Sequence, residues 1–282
     1  MPYENTIEYL RDFLGLRRES EVSIRPIADL RVRTPIFALQ IGEQKWILKC
    51  ARDINHEVQG LWISRAAGCC VPTVLAASDG LNNPLTSPFL ISEFIDGIPL
   101  TASTSSLELL ASLRESLKAM CAVRFREPFK THSKTQEVAM RWNELARAPE
   151  DVHWDSDMLS HGDFDPTNLI IQRGTQRVYL IDWANWRYSD PVLDLGRLAV
   201  HGSNWSSANL NELEQWVGLL ASEILEGDPR AAHKLNLGVL TELERSDERS
   251  AAAYASRCMQ VKGGLTNGSQ DQGRIHPEKK RE

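Results

Sequence analysis

The stretch Ser160–Ile171, SHGDFDPTNLII, sets two aspartates and an asparagine within six residues, straight after a His-Gly pair and straight before an apolar run. Asp163 and Asn168 stand five apart, and Asp182 closes the segment RVYLID fourteen residues beyond Asn168. NLII and RVYLID read as two short strands around the turn QRGTQ. If they pair as a hairpin, all three polar side chains meet at its open end. Two carboxylates ~4 Å apart repel by about 4 kcal/mol at an effective dielectric near 20. A site that gathers them either shares a proton or holds a cation. Carboxylate and amide oxygens suit a hard divalent ion, and magnesium, which keeps its waters and leans on substrate phosphates, suits them best. A single D-x-x-x-x-N also fits a solvated turn with aspartates as caps; the joint pattern is what marks a site.

The elements that must position these groups can be followed along the chain. TIEYLRDFLGL places Ile7, Leu10 and Leu14 at helical spacing. EVSIRPIADL, IFALQIG and QKWILKC then read as a three-stranded antiparallel start, with GEQ as a hairpin turn. DINHEVQGLWISRAAG is a helix with Val58, Leu61, Trp62 and Ile63 on its apolar side and Gly68 as its stop. VPTVLAAS and SPFLISEFI are two further strands, and DGIPLTASTSS is a polar connector. From Ser105, a capping box with Glu108 opens a helix whose stripe is Leu110, Leu113, Leu117 and Met120. A later helix carries Leu213, Trp216, Val217, Leu220 and Ile224. The change from strand-rich to helix-rich near residue 97 implies an N-terminal lobe over 1–97 and a C-terminal lobe over 98–260. The polar, Gly-rich stretch 261–282 reads as a disordered tail.

The 282 residues, 42% hydrophobic and 25% charged, suffice for one large domain or two lobes with a sizeable core. A net charge of -6 argues against a dedicated nucleic-acid binder, since a phosphate backbone attracts a basic face. The five cysteines form no C-x-x-C pair and read as buried or incidental thiols in a reducing compartment. The first twenty residues are charged throughout, and no apolar run approaches the ~18 residues that span a bilayer. A soluble, cytoplasmic protein is expected, with no membrane partner.

HGDFDPTN, then YLIDW, then DPVLDLGRL resemble the aminoglycoside phosphotransferase and choline kinase superfamily, relatives of the protein kinases. The N-terminal half agrees in order. KWILK resembles that family's third strand with its nucleotide lysine, HEVQGLWISRAAGCCVPTVLA its following helix and strand, and FLISEFIDGIPL its hinge. The resemblance runs from about residue 22 to 200 and implies an α+β, protein-kinase-like two-lobed fold. That fold has an N-terminal antiparallel sheet lobe with one helix and a mainly helical C-terminal lobe. It further implies ATP as phosphoryl donor, Mg2+ as cofactor and a small-molecule hydroxyl as acceptor. Asp163 would orient that hydroxyl and accept its proton. Asn168 and Asp182 would hold the metal against the phosphates. Lys49 would contact the inner phosphates, steadied by Glu57. The backbones of Glu93 and Ile95 would meet the adenine edge, and His161 and Asp194 would brace the catalytic loop. Asp165 reads as a turn residue.

The loop between the first two strands departs from the pattern: ADLRVRTPIF has no glycine, and Pro35 removes an amide donor. Arg31, Arg33 and Thr34 could supply charge and a hydroxyl instead. The segment before the catalytic loop is short, so the acceptor is poorly specified. Trp183 and Trp186, close behind Asp182, are candidates for a cation–π contact with an ammonium or aminosugar. Two rival readings stand beside the kinase. One is a nucleotide-binding pseudokinase acting as scaffold or regulator, favoured by the glycine-free loop; the other is a metal-dependent phosphohydrolase built on HGDFD. Without an A-P-E segment after Asp182, a protein substrate is not expected.

Overall fold

The computed structural model describes residues 3–27, 34–80, 83–100, 107–125, 157–202, 210–225 and 231–245. Helix α1 (Glu4–Phe13) precedes strands β1 (Val22–Pro26), β2 (Ile36–Ile41) and β3 (Gln44–Cys50), with helix α2 (Ile54–Ala67) after them. Strands β4 (Val74–Ser78) and β5 (Phe89–Glu93) complete a five-stranded antiparallel sheet of order β1-β2-β3-β5-β4. The turn between β2 and β3 holds Gly42 and Glu43, as the sequence implied.

Strand alternation decides what each face of this sheet does. Leu39, Leu48 and Ile91 turn to one side and bury against Leu10 of α1, with Val22, Ile24 and Phe89 in the same cluster. Ile47, Lys49 and Ser92 turn to the other side, where a cleft lies. Because the side-chain period is two, a one-residue slip of β3 would put the Lys49 ammonium among leucines.

Two features differ from the expectations. Residues 97–99 are not connector but a short strand, β6 (Gly97–Pro99), paired antiparallel with Ile170, Ile171 and Gln172. It is an edge strand with its proline last, where a missing amide does little harm. Trp62 is not on the buried side of α2. The inward face is set by Ile54, Glu57, Leu61 and Ser64, which leaves Trp62 at its margin and 60% exposed.

After β6 the chain forms helix α3 (Leu107–Ala122), strand β7 (Leu159–Ser160), and the hairpin β8 (Leu169–Gln172) with β9 (Val178–Leu180). Strand β10 (Arg187–Tyr188) pairs with β7. Helices α4 (Val192–His201), α5 (Leu210–Ile224) and α6 (Ala231–Arg245) follow. Leu113, Leu117 and Met120 of the α3 stripe are fully buried, and Leu110 is only partly so. One apolar cluster joins Val58 and Leu61 of α2 to these residues, to Leu169 and Leu180 of the hairpin and to Leu195 and Leu198 of α4. The fold is α+β: an antiparallel sheet lobe with α1 and α2, followed by a mainly helical lobe.

The Ser105–Glu108 capping box, Arg31, Arg33, Trp142, Trp154, Trp205 and the tail from 261 lie outside the described residues, as does the side chain of Trp216. No helix among the described residues is long and apolar enough to cross a membrane. Of the described cysteines, Cys50 and Cys69 are buried and none is paired. Burial pushes the Cys69 and Cys121 thiols up to about 12, so they remain protonated and behave as apolar filling.

Candidate active site

The cleft below the sheet has a volume of about 450 Å³. Its walls are apolar, from Ile36, Ile47 and Leu90 above and Ile170 below. One end carries Glu93 and Ile95, and the other gathers Lys49, Glu57, Asn168 and Asp182. Six of the nine residues singled out in the sequence therefore line a single cavity.

Lys49 Nζ lies 3.0 Å from Glu57 Oε1 and 2.8 Å from Oε2, and only the first contact has hydrogen-bond geometry. It also donates to Asp182 Oδ1 at 2.7 Å. Glu57 reaches it from the first turn of α2 and is 4% exposed. Burial disfavours the charge on Lys49, but Glu57 and Asp182 together outweigh it and raise the ammonium pKa above its ordinary value. Burial likewise pushes the Glu57 carboxyl upward, against the pull of Lys49. With two acids on one ammonium, the ion pair is the form that persists.

Asp182 sits two residues beyond β9 in the left-handed region, φ 60° and ψ 64°. Such a conformation costs a non-glycine residue of order 1 kcal/mol, and it turns the carboxylate back toward Lys49. Asn168 ends a 3-10 turn, Pro166–Asn168, that Asp165 caps by accepting from the Thr167 amide at 2.9 Å. Ile181 N–H donates to the Asn168 carbonyl at 2.9 Å and closes the hairpin mouth, which sets Asn168 beside Asp182.

Asp163 stands just outside the cleft lining, one hydrogen bond away. Asn168 Nδ2 donates to its carbonyl at 2.9 Å and to its Oδ2 at 3.2 Å. This commits the amide nitrogen and leaves Asn168 Oδ1 as the group available to an ion. His161 and Asp194 do not reach the cavity. Asp194, in the first turn of α4, accepts from the amides of His161 at 2.8 Å and Gly162 at 2.9 Å. Gly162 has φ +76°, and a Cβ there would collide with the Asn185 carbonyl, so this loop position admits only glycine.

His161 is fully buried, between the rings of Trp183 and Phe164, with Nε2 on the Ile181 carbonyl at 2.9 Å. Burial lowers its pKa from the ordinary 6.5, against the pull of Asp194, and keeps it neutral in the folded protein. The unfolded chain takes up that proton near pH 6.5, so below this the unfolded state binds more protons and acid destabilises the fold. Urea midpoints measured from pH 7.5 to 5.5 should fall more steeply for the wild type than for His161→Gln.

Of the two tryptophans proposed to face an ammonium, Trp183 is excluded by burial and Trp186 is held by His56. Trp183 is 0% exposed, packs in the core and donates through Nε1 to the Leu180 carbonyl at 3.1 Å. Trp186 is 8% exposed, stacks on His56 at 4.8 Å and donates to the His56 carbonyl at 2.6 Å. Both tie the segment after Asp182 to its surroundings; Trp183 is closed off from any ligand, while Trp186 still lines a second cavity with His56, Trp62 and Tyr188.

The partners of the acidic loop come from distant elements that the loop's own sequence does not announce. Asp163 Oδ1 pairs with Arg197 Nη2 of α4, while Arg197 Nη1 holds Glu242 Oε1 of α6 at 2.6 Å. His201 bridges Asp165 at 3.2 Å and Glu242 at 2.9 Å. The anticipated crowding of bare carboxylates is thus resolved by separate cations, Arg197 for Asp163 and Lys49 for Asp182. An arginine three residues after Asp194 in an otherwise apolar helix was the available signal. Nothing local points to Glu242.

Among the described residues no cluster of three His, Cys, Asp or Glu side chains is arranged for a metal. One amide oxygen and one exposed carboxylate at the mouth of a cleft nevertheless fit a hard ion that takes its other ligands from water and phosphate.

No curated protein sequence matches the chain. Among solved structures, aminoglycoside phosphotransferase APH(4)-Ia is similar with a TM-score of 0.57 and 16% identity over 94% of this chain and 99% of that one. Aminoglycoside-3'-phosphotransferase of type VIII is similar with a TM-score of 0.53 and 17% identity over 85% and 98%. An aminoglycoside phosphotransferase homologue of unproven activity from Ralstonia eutropha gives 0.53 and 14% over 90% and 94%. At these identities the likeness establishes the fold. The family described as "Phosphotransferase enzyme family" matches residues 36–223, about two thirds of the sequence and the whole of the cleft just described, and the chain belongs to that family.

Proposed function

We propose that this chain transfers the γ-phosphate of ATP, with magnesium, to a hydroxyl of a small molecule. One observation carries the reading: a single cavity holds Lys49, Glu57, Asn168 and Asp182, and Asp163 is bonded to its edge through Asn168. Phosphoryl transfer asks a protein for in-line positioning and neutralised oxygen charge more than for covalent help. Lys49, held by Glu57, meets the inner phosphates. The apolar walls take the base. The Glu93 amide is already bonded to the Thr73 carbonyl at 2.8 Å, so the base edge falls to the Glu93 carbonyl and the Ile95 amide. Asn168 Oδ1 and Asp182 would hold magnesium, which when bound supplies charge neutralisation for the phosphate oxygens. Asp163 aligns the acceptor hydroxyl and takes its proton, while His161 and Asp194 keep the loop in shape from behind.

The reading divides the chain into a nucleotide-binding part, 1–97, that ends in the hinge, and a catalytic and acceptor-binding part, 98–260. It places the protein in the cytoplasm, where ATP and magnesium are supplied. Amine-bearing metabolites and aminoglycosides lead as acceptors. Two APH(4)-Ia variants similar to this chain are described as ternary complexes with hygromycin B and ADP or AMP-PNP. The test is a screen of hydroxylated amines and sugars, hygromycin B included, for ADP production with ATP and magnesium. Turnover with at least one acceptor is expected; nucleotide binding without turnover on any would favour the scaffold reading. Asp182→Ala should weaken ATP binding measured with magnesium by roughly tenfold, ~1.4 kcal/mol, and change magnesium-free binding little.

A further inference from the structure

We propose that Arg197, gripped by Glu242, is the residue that positions the Asp163 carboxylate for transfer. This rests on the reading of Asp163 as the group that aligns the acceptor. A carboxylate on a loop can rotate, and a base that has rotated no longer faces its proton. The Asp163 side chain has two donors from two different elements. Asn168 Nδ2 meets Oδ2 at 3.2 Å, a long contact, whereas Arg197 Nη2 meets Oδ1 as a close charge pair. The arginine is the tighter of the two grips. It does not block the site, because an ionised carboxylate has about four lone-pair positions and these donors occupy two.

Arg197 is itself immobilised. Its second terminal nitrogen is held by Glu242, which is 3% exposed and also takes His201 at 2.9 Å and Arg245 at 3.6 Å. The distance between Arg197 and Glu242 is set by backbone, not by side-chain reach. At the crossing of α4 and α6 a Cβ on Gly196 would collide with the Gly238 backbone, and one on Gly238 would lie 2.6 Å from the Val192 carbonyl. Arg197 follows the first of these glycines, and Glu242 lies one helical turn after the second. His201, one turn beyond Arg197, carries the same Glu242 carboxylate across to Asp165 at 3.2 Å. Two loop acids are thereby tied, one through Arg197 and the other through His201, to one buried glutamate. A set of buried charges is a poor stabiliser compared with apolar packing, so its value here is fixed geometry.

Wild type, Arg197→Ala, Arg197→Lys and Glu242→Gln separate this from a packing role. With the acceptor of highest turnover in the screen above, Arg197→Ala should lower kcat by about 100-fold, the scale for misplacing a reacting group by an ångström, with the ATP KM within about twofold. Arg197→Lys should recover about a tenth of wild-type kcat, since a point charge reaches Asp163 without the fork that also holds Glu242. Glu242→Gln should fall between them. Crystal structures should show the Asp163 carboxylate turned from its wild-type position in Arg197→Ala and retained in Arg197→Lys. Unchanged kcat in Arg197→Ala, or an unmoved Asp163 in its crystal structure, overturns the proposal. If the wild type turns over no acceptor, the functional reading falls, and the crystal structures still decide whether Arg197 sets Asp163.

Discussion

Asp163→Asn lowers the rate of phosphoryl transfer by about 10³-fold and leaves ATP affinity within about twofold. The substitution keeps the size of the side chain and an oxygen for Arg197; its amide nitrogen replaces the oxygen of the long Asn168 contact, while the Asn168 bond to the residue-163 carbonyl remains. What it removes is the group that takes the hydroxyl proton. Asp163 lies beyond the cleft lining, whereas Lys49, Asn168 and Asp182 line it, so the nucleotide loses no direct contact. Steady-state ADP release, together with an ATP titration of both proteins, reads the two effects separately. Full transfer activity in Asp163→Asn would remove this residue from the chemistry and with it the central assignment.

Lys49→Met is the second large effect. Among the described residues it deletes the one cation whose contacts include both Glu57 and Asp182, and turnover should fall by about 100-fold, as when one preorganised donor to a developing charge is lost. It also leaves Glu57 buried without its cation. Breaking a pair of this burial costs about 3–5 kcal/mol, with both side chains no more than 11% exposed. Glu57 can relieve part of this by taking up a proton, which places the loss toward the lower end of that range. Asp182, 41% exposed, contributes little to the stability term. Urea unfolding of Lys49→Met, Glu57→Gln and the double variant checks the argument. The double variant should be distinctly more stable than the sum of the single losses implies, because it removes the orphaned charge.

What could be read from the chain follows the range of the interactions. The β2–β3 hairpin, α2 with its Gly68 stop, and β8–β9 were legible because alternation and turn residues are local signals. Asn168 and Asp182 came together for the same reason, at the mouth of one hairpin. Strand β6 was not legible: three residues containing a glycine and a proline carry no strand pattern, and pairing with β8 alone makes them one. Trp183 was misjudged because closeness to Asp182 in sequence says nothing about direction; the 3-10 turn there swings the ring into the core. Trp62 was misjudged because an apolar ring at helical spacing does not say which edge of the face is covered. The Arg197–Glu242 contact spans 45 residues and depends on how two helices cross, which no short window contains.

The apolar cluster shared by α2, α3, the β8–β9 hairpin and α4 bears on how a nucleotide gets in and out. Pulling the upper and lower parts of the pocket wholly asunder would wet leucines such as Leu61 and Leu113, each worth ~2 kcal/mol or more in hiding from water. Any opening at the hinge is therefore expected to be a small rotation that widens the rim while this shared interior stays dry.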